Sequence, residues 1–362
     1  MIIALDAMGG DNAPKVTIEG AVESVNRYND VSIILVGDEE VIRKRLRSKS
    51  YPKDRLSIRH ASQVVDMQET PTRALRHKRD SSIRVAVELV RDAEAGAVVS
   101  AGHSGVALAT SLTLLKKAPG VDRPAIAAFM PTLKGRFLLI DAGANVDCKP
   151  INLLQFAIMG SAYYSAVMGI LAPKVALISI GEEDSKGNDL TKEAFKLLKA
   201  SNLNFVGNIE GKDIFLGAAD VVVCDGFIGN TTLKISEGLA EVIFRMLKEE
   251  ISNSYVGKLG YFLMKPAFRS FKKNTDYAEY GGAPLLGING TCIICHGRSS
   301  SKAIRNAIKV TNQLVKVNIN KIISDALLTA AGSDSPLTVA GADSIERSSN
   351  DMQGQGLIEC QD

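Results

Sequence analysis

Five short apolar runs, IIALD, AVVS, FLLID, VALISI and VVVCD, each stop on a loop of Gly, Asp, Asn and Ser, and each loop leads into a segment with helical periodicity. The loops are Ala7-Met8-Gly9-Gly10-Asp11, Ala101-Gly102-His103-Ser104-Gly105, Ala142-Gly143-Ala144-Asn145, Gly181-Glu182-Glu183 and Gly226-Phe227-Ile228-Gly229-Asn230. Unbroken Val/Ile/Leu runs suit parallel strands buried on both faces. Their alternation with amphipathic helices predicts a doubly wound α/β fold, a mostly parallel sheet with helices on both faces. Ligands of such sheets bind beyond the carboxyl ends of the strands, which places all five loops together at one sheet edge. Glycine admits close backbone approach and helix N-termini favour negative charge, so the pattern points to an anionic or phosphate-bearing substrate.

Between the runs the pattern predicts helices over Thr72 to Lys78, Ser82 to Glu94, Ile151 to Leu171, Leu190 to Ala200 and Thr231 to Ile251, with an extra strand at Pro124 to Met130. No linker rich in Pro, Gly or Ser separates two halves, so residues 1–331 read as one α/β domain, with two lobes as the alternative. Two segments break the pattern. Ser252 to Thr275 interleaves Tyr255, Leu259, Tyr261, Phe262, Leu263, Met264, Phe268 and Phe271 with Lys258, Lys265, Arg269, Lys272 and Lys273, and has no acidic residue. It reads as an amphipathic basic helical protrusion, with Tyr261 to Met264 as a membrane-contact tip; a core helix pair with a solvated face has the same pattern. The stretch 332–362, rich in Ser, Gly, Asp and Gln, is expected to be a disordered tail.

Composition narrows the function classes. Net charge is +3 and no RNP-like or zinc-finger pattern occurs, so no nucleic-acid partner is expected. The chain runs directly into a strand and has no apolar stretch of about 20 residues, which predicts a cytoplasmic protein whose five cysteines are reduced thiols.

The loops carry a resemblance. ALDAMGGDNAP, PTRALRHKRDSS, VVSAGHSG, the RPA at Arg123, DAGANVDCKP with QFAIMGS, GEEDSKGN, VVVCDGFIGNTTLK and the HG at His296 stand in one order from Ile3 to about Ala330. Together they resemble the bacterial phosphate acyltransferases of phospholipid synthesis. The resemblance implies an isocitrate dehydrogenase-like fold and transfer of a fatty acyl group from acyl carrier protein to inorganic phosphate. It further implies a homodimer, peripheral membrane association and no cofactor. One loop departs from the family: where its members read SAGNTG, this chain has Ser100-Ala101-Gly102-His103-Ser104-Gly105.

By the same resemblance Lys186 and Asn230 are the catalytic candidates. Lys186 offers a point charge for phosphate or the oxyanion, and Asn230 an amide beside the free N–H groups of a helix terminus. Candidate substrate contacts come from every loop: Asp6, Gly9, Gly10 and Asp11; Arg76, Ser81 and Ser82; Gly102, His103, Ser104 and Gly105; Asn145; Gly181 and Glu182; Asp225, Gly229 and Thr231; His296 and Gly297. No metal site is expected.

Plainer roles fit several of these residue types. Lysine in a Gly/Asp/Ser loop is usually solvated, Asn230 is equally suited to capping its helix, and Asp6, Asp141 and Asp225 at strand ends suit turns or caps. Arg76 reads as an anion clamp or as one charge of a surface helix with Arg73, Lys78 and Arg79. Cys292-Ile293-Ile294-Cys295-His296 matches a haem-attachment pattern but lies in a strand-like run. Gly102-His103-Ser104-Gly105 lacks the last glycine of a nucleophile elbow, and no G-x-G-x-x-G occurs, which weighs against a dehydrogenase. The rival readings are a phosphotransacetylase-like enzyme using acyl-CoA and an inactive membrane-recruited scaffold.

Overall fold

A computed structural model describes residues 1–275 and 281–330 of the 362-residue chain. In chain order its elements are β1 (Ile2–Asp6), α1 (Lys15–Arg27), β2 (Ser32–Gly37), α2 (Glu39–Leu46), β3 (Leu56–His60), α3 (Pro71–His77), α4 (Ser82–Arg91), β4 (Ala97–Ser100) and α5 (Ser104–Leu115). There follow β5 (Ala125–Thr132), β6 (Gly135–Ile140), α6 (Pro150–Met168), β7 (Val175–Ile178), α7 (Asp189–Lys199), β8 (Phe205–Ile209) and β9 (Val221–Val223). The chain continues with α8 (Gly226–Asn253), α9 (Tyr255–Thr275), β10 (Ala283–Leu286), β11 (Cys292–Ile294), α10 (Ser301–Lys316) and α11 (Ile319–Ala330). The tail expected beyond Gly332 lies outside the described residues.

All the strands join one sheet in the order β3-β2-β1-β4-β11-β10-β5-β6-β9-β7-β8. Alternate residues face opposite sides, and both sides are buried. Ile3, Leu5, Val99, Leu138 and Ile140 enter a core with α1, α6, α7, α10 and α11. Ala4, Val98, Phe137 and Leu139 enter a second core with α3, α4 and α5. This is why the strands read as unbroken apolar runs: a polar residue on either face would be desolvated, whereas each buried large apolar side chain contributes roughly 1.5–3 kcal/mol.

The expectation of one shared sheet edge is corrected by the strand directions. β3, β2, β1, β4 and β11 run parallel to one another, and so do β6, β9, β7 and β8. Between them three antiparallel pairings, β11 with β10, β10 with β5 and β5 with β6, reverse the second group relative to the first. The carboxyl ends of the two groups therefore point toward each other. Ser100 at the end of β4 is in register with Ile294 and hence with Ala283. Continuing the Leu285↔Ile126 pairing puts Ala283 level with Ala128, which faces Leu139, one residue before the end of β6. Loops from the two groups thus converge over β5 and β10 in mid-sheet.

Helix boundaries follow their caps. Asp38, His103, Asn188, Asp225 and Ser300 each accept a hydrogen bond from a first-turn N–H. The cap at Asp225 starts α8 at Gly226 rather than Thr231, so the GFIGN segment is helix and not loop. Its two glycines serve close approach. A Cβ on Gly229 would lie 1.8 Å from the Asp141 carbonyl oxygen, and one on Gly226 would lie 2.6 Å from that of Asn145.

Ser252 to Thr275 does not form a core helix pair within this chain. Its main element, α9, has Pro266 in its interior and packs on α8 through a Phe244–Phe271 ring contact at 5.6 Å, with a Tyr261–Phe268 contact at 5.1 Å within α9 itself. Phe262, Leu263 and Met264 remain exposed, as do Leu239, Val242 and Met246 on α8. No helix among the described residues is long and apolar enough to cross a membrane.

The glycine contacts give a paired expectation. Gly229→Ala drives a methyl into backbone and should cost about 3 kcal/mol or more in urea unfolding. Gly238→Ala, where a Cβ meets nothing within 4 Å, should instead gain about 0.5–1 kcal/mol from helix propensity.

Candidate active site

Two buried carboxylates organise the converging loops. Asp141, just past β6, accepts hydrogen bonds from the N–H groups of Ile126, Gly143, Ala144 and Asn145 and from Asn145 Nδ2, at 2.7–3.1 Å. Asp6, at the end of β1, accepts from Ser100 Oγ at 2.7 Å and from Met8 N–H at 3.3 Å. Ser100 Oγ in turn accepts from Gly102 N–H at 3.0 Å, so Asp6 holds the neighbouring loop through one hydroxyl. Burial pushes both carboxyls above the ordinary range; Ser82, Ser100 and the Met8 and Gly9 N–H groups pull Asp6 back, and Asn145 with the loop N–H groups does the same for Asp141.

A cavity of about 410 Å³ lies where the loops meet. Asp11, Gly102 and Ser104 border it from the first strand group, as do Cys295, His296 and Gly297 after β11. Ala142, Gly143 and the α8 residues Asn230, Leu233, Lys234 and Glu237 border it from the second. Ile126, Ala128 and Phe129 of β5, with Met67, supply an apolar wall. On the polar side, Lys234 Nζ is 2.8 Å from Glu237 Oε2, and His296 Nε2 is 3.6 Å from the same oxygen. Burial would raise the Glu237 carboxyl, but hydrogen bonds from His296 and Lys234 outweigh it and hold it below the usual range.

Of the residues expected from sequence, Asp11, Gly102, Ser104, Asn230, His296 and Gly297 line this cavity. Gly9 and Gly10 stand behind it as close-packing positions: a Cβ on Gly9 would meet Asp6 Oδ2 at 2.4 Å, and one on Gly10 the carbonyls of Ala101 and Gly297 at 3.1 Å. Asp6, Asn145 and Asp225 are engaged in holding loops and caps, Asn145 Nδ2 also donating to the Pro124 carbonyl at 2.7 Å. Ser81 Oγ donates to the Lys78 carbonyl and Ser82 hydrogen-bonds Asp6. Arg76, Thr231 and Glu182 are exposed residues outside the lining, as are the buried Gly181 and Gly229 and the partly buried Gly105.

Lys186 also lies outside the cavity lining; its side chain is 48% exposed and its ammonium is 3.9 Å from Glu183. Asn230 does not cap its helix, because Asp225 holds that position. The free amides expected beside it are largely in use. Gly226 N–H donates to the Asn145 carbonyl, Ile228 N–H to the Asp225 carboxylate and Gly229 N–H to the Asp225 carbonyl.

Comparison with known proteins settles the family. Residues 1–322 match the fatty acid synthesis protein family. The chain is 61% identical over 325 residues to a phosphate acyltransferase of Thermodesulfovibrio yellowstonii, covering 90% of this chain and 94% of that protein. It is 52% identical over 329 residues to the phosphate acyltransferase of Geobacter sulfurreducens, covering 91% and 95%. The chain belongs to the phosphate acyltransferase family. A phosphotransacetylase from Streptococcus pyogenes shares the fold, with TM-score 0.59 at 20% identity over 87% of this chain and 94% of that one. So does a 4-hydroxythreonine-4-phosphate dehydrogenase from Klebsiella pneumoniae, with TM-score 0.50 at 13% identity over 87% and 99%.

Within this acyltransferase chain the cavity residues of α8 beyond Asn230, namely Leu233, Lys234 and Glu237, were not among the sequence candidates. Their signal was the helical spacing from Asn230, which puts positions three, four and seven residues on along one face; reading the segment as loop up to Asn230 concealed it. The haem-like cysteines are excluded by place, since Cys292 and Cys295 are buried and burial pushes their thiols up to about 11 and about 12. Among the described residues Cys148, Cys224, Cys292 and Cys295 are free thiols.

His103 caps α5: its Nδ1 accepts from Val106 N–H at 3.3 Å. That bond requires Nδ1 to be unprotonated, so the imidazole here does what an asparagine oxygen does at an N-cap. His103→Asn should therefore keep turnover within a few fold and leave stability unchanged or slightly higher, whereas His103→Ala should cost about 1 kcal/mol. Steady-state assays and urea unfolding of the two variants check this; abolished turnover in folded His103→Asn would show that the imidazole takes part in the chemistry.

Proposed function

We propose that this chain transfers a fatty acyl group from the thioester of acyl carrier protein to inorganic phosphate, giving acyl phosphate for phospholipid synthesis. The observation that carries the proposal is the mid-sheet cavity, whose lining joins the apolar Ile126, Ala128 and Phe129 with Asn230 and Lys234. A phosphate oxygen attacks the thioester carbonyl carbon, the C–S bond breaks, and the carrier leaves as a thiolate that takes up a proton. A free thiol has a pKa of about 8.5, so expulsion needs no strong general acid. The enzyme's task is to place two substrates and to stabilise the oxyanion of the tetrahedral intermediate.

In this reading Asn230 Nδ2 donates to the oxyanion, and Ile126, Phe129 and Leu233 receive the first carbons of the acyl chain. Lys186 supplies positive charge from the loop after β7, which must reach over the cavity mouth to do so. The exposed Tyr261-Phe262-Leu263-Met264 tip, flanked by exposed Lys258 and Lys265, attaches the enzyme to the cytoplasmic membrane surface. The apolar stripe of α8 would be covered by a second copy in a homodimer.

Asn230→Ala and Lys186→Ala should each lower turnover by roughly 10²-fold or more, the scale of losing one oxyanion donor, with unchanged circular dichroism. Near-normal turnover in either folded variant removes that residue from the mechanism. Acyl phosphate should form from long-chain acyl carrier protein in preference to acyl-CoA; the reverse preference would favour a phosphotransacetylase-like activity.

Placing carboxylates at the apolar tip tests attachment separately. Phe262→Glu with Leu263→Glu should abolish sedimentation with anionic vesicles while soluble turnover stays within a few fold, since five basic residues and an apolar tip contribute on the order of 1 kcal/mol per cation near an anionic surface. Continued sedimentation would refute the membrane role, and unfolding would mean the tip is packed.

A further inference from the structure

We infer that Lys234 is the cation that seats the phosphate nucleophile, and that Glu237, held by His296, positions it. The inference rests on the phosphate acyltransferase reading above and adds the residue that receives the anion. A doubly charged nucleophile needs positive charge where it reacts. Among the described residues lining the cavity, Lys234 is the one lysine or arginine.

On α8 the usual alternative, the helix N-terminus, is largely committed: the first-turn amides of Gly226, Ile228 and Gly229 donate to the Asn145 carbonyl, the Asp225 carboxylate and the Asp225 carbonyl. A side chain of the same helix then supplies the attraction beside Asn230. Lys234 stands one helical turn after Asn230 on the same face of α8. A cation and the proposed oxyanion donor therefore lie side by side, as attack by phosphate on a carbonyl requires.

Glu237 fixes the ammonium. Its carboxylate takes one of the three Lys234 donors at 2.8 Å, which leaves two for phosphate oxygens. From the opposite strand group, His296 Nδ1 accepts from Arg298 N–H at 3.1 Å, which puts the proton on Nε2, directed at Glu237 Oε2 3.6 Å away. One turn further along, Arg298 lies 3.7 Å from Glu241. The loop after β11 thus clasps the helix face that carries Lys234. Glu237 offsets part of the lysine's charge, and His296, donating from Nε2 while its Nδ1 accepts, adds a hydrogen bond rather than a charge, so Lys234 holds the anion through its two remaining N–H donors.

The test measures phosphate and thioester dependence separately. Lys234→Gln should raise KM for phosphate about 10- to 100-fold, the range of a lost charge-assisted hydrogen bond, with KM for the acyl thioester unchanged. Lys234→Arg should recover most of the loss, and Glu237→Gln should raise KM for phosphate several-fold with little change in kcat. Inorganic phosphate alone should raise the Tm of the wild-type protein and not that of Lys234→Gln. Unchanged phosphate KM and undiminished thermal protection in folded Lys234→Gln would overturn the inference. If the wild-type protein made no acyl phosphate yet phosphate protected it and not Lys234→Gln, the reaction assignment would fail and the phosphate seat would stand.

Discussion

The buried carboxylate of Asp141 is the contact on which the site depends. It gathers N–H groups from Ile126, Gly143, Ala144 and Asn145 and the Asn145 side-chain amide, binding the start of β5 to the loop after β6. A carboxylate without such donors would be strongly destabilising at this depth, so the loop can hold only the conformation that supplies them. That conformation forms the platform for α8. Gly226 N–H donates to the Asn145 carbonyl, and Gly229 packs without a side chain against Asp141. Asp6 performs the same service for the first strand group through Ser82 and Ser100.

The arrangement explains how a sheet with two opposed strand groups comes to have one site. Carboxyl ends in a uniformly parallel sheet share an edge; here three antiparallel pairings in the centre turn the two sets of ends toward each other. The cavity occupies the region where they meet, floored by β5 and closed laterally by α8 and the loop after β11. Contacts between His296 and Glu237 and between Arg298 and Glu241 cross from one group to the other at that point. The helix that lines the cavity is thereby fixed at its start by backbone and along its side by charge.

The same helix then leaves the body of the protein. Gly226 and Gly229 in its first turn are buried, whereas Ile235, Leu239, Val242 and Met246 are exposed, as are Phe262 and Leu263 on α9. Apolar side chains lining two successive helices exceed what scattered surface residues explain, and they mark a face built to meet apolar surroundings. One continuous helix thus carries both this exposed apolar face and residues that line the cavity.

Much of this was legible in the sequence because its signals are local. Burial on both faces shows as unbroken apolar runs, strand ends show as Gly/Asp/Asn/Ser loops, and the ordered motifs from ALDAMGGDNAP to the HG at His296 are enough to mark the family. What could not be read was decided by contacts between residues far apart in the chain. Strand direction comes from the pairing of β10 with β5, where Leu285 meets Ile126 from 159 positions away, so the single edge inferred from the runs became two facing ends. Asp141 and Asp225 looked alike as strand-end residues, yet one is a buried hub and the other a helix cap, because only Asp141 meets the start of β5. Lys234 and Glu237 carry no local mark beyond helical spacing. They become cavity residues because two glycines let α8 settle on a loop that a carboxylate had already fixed.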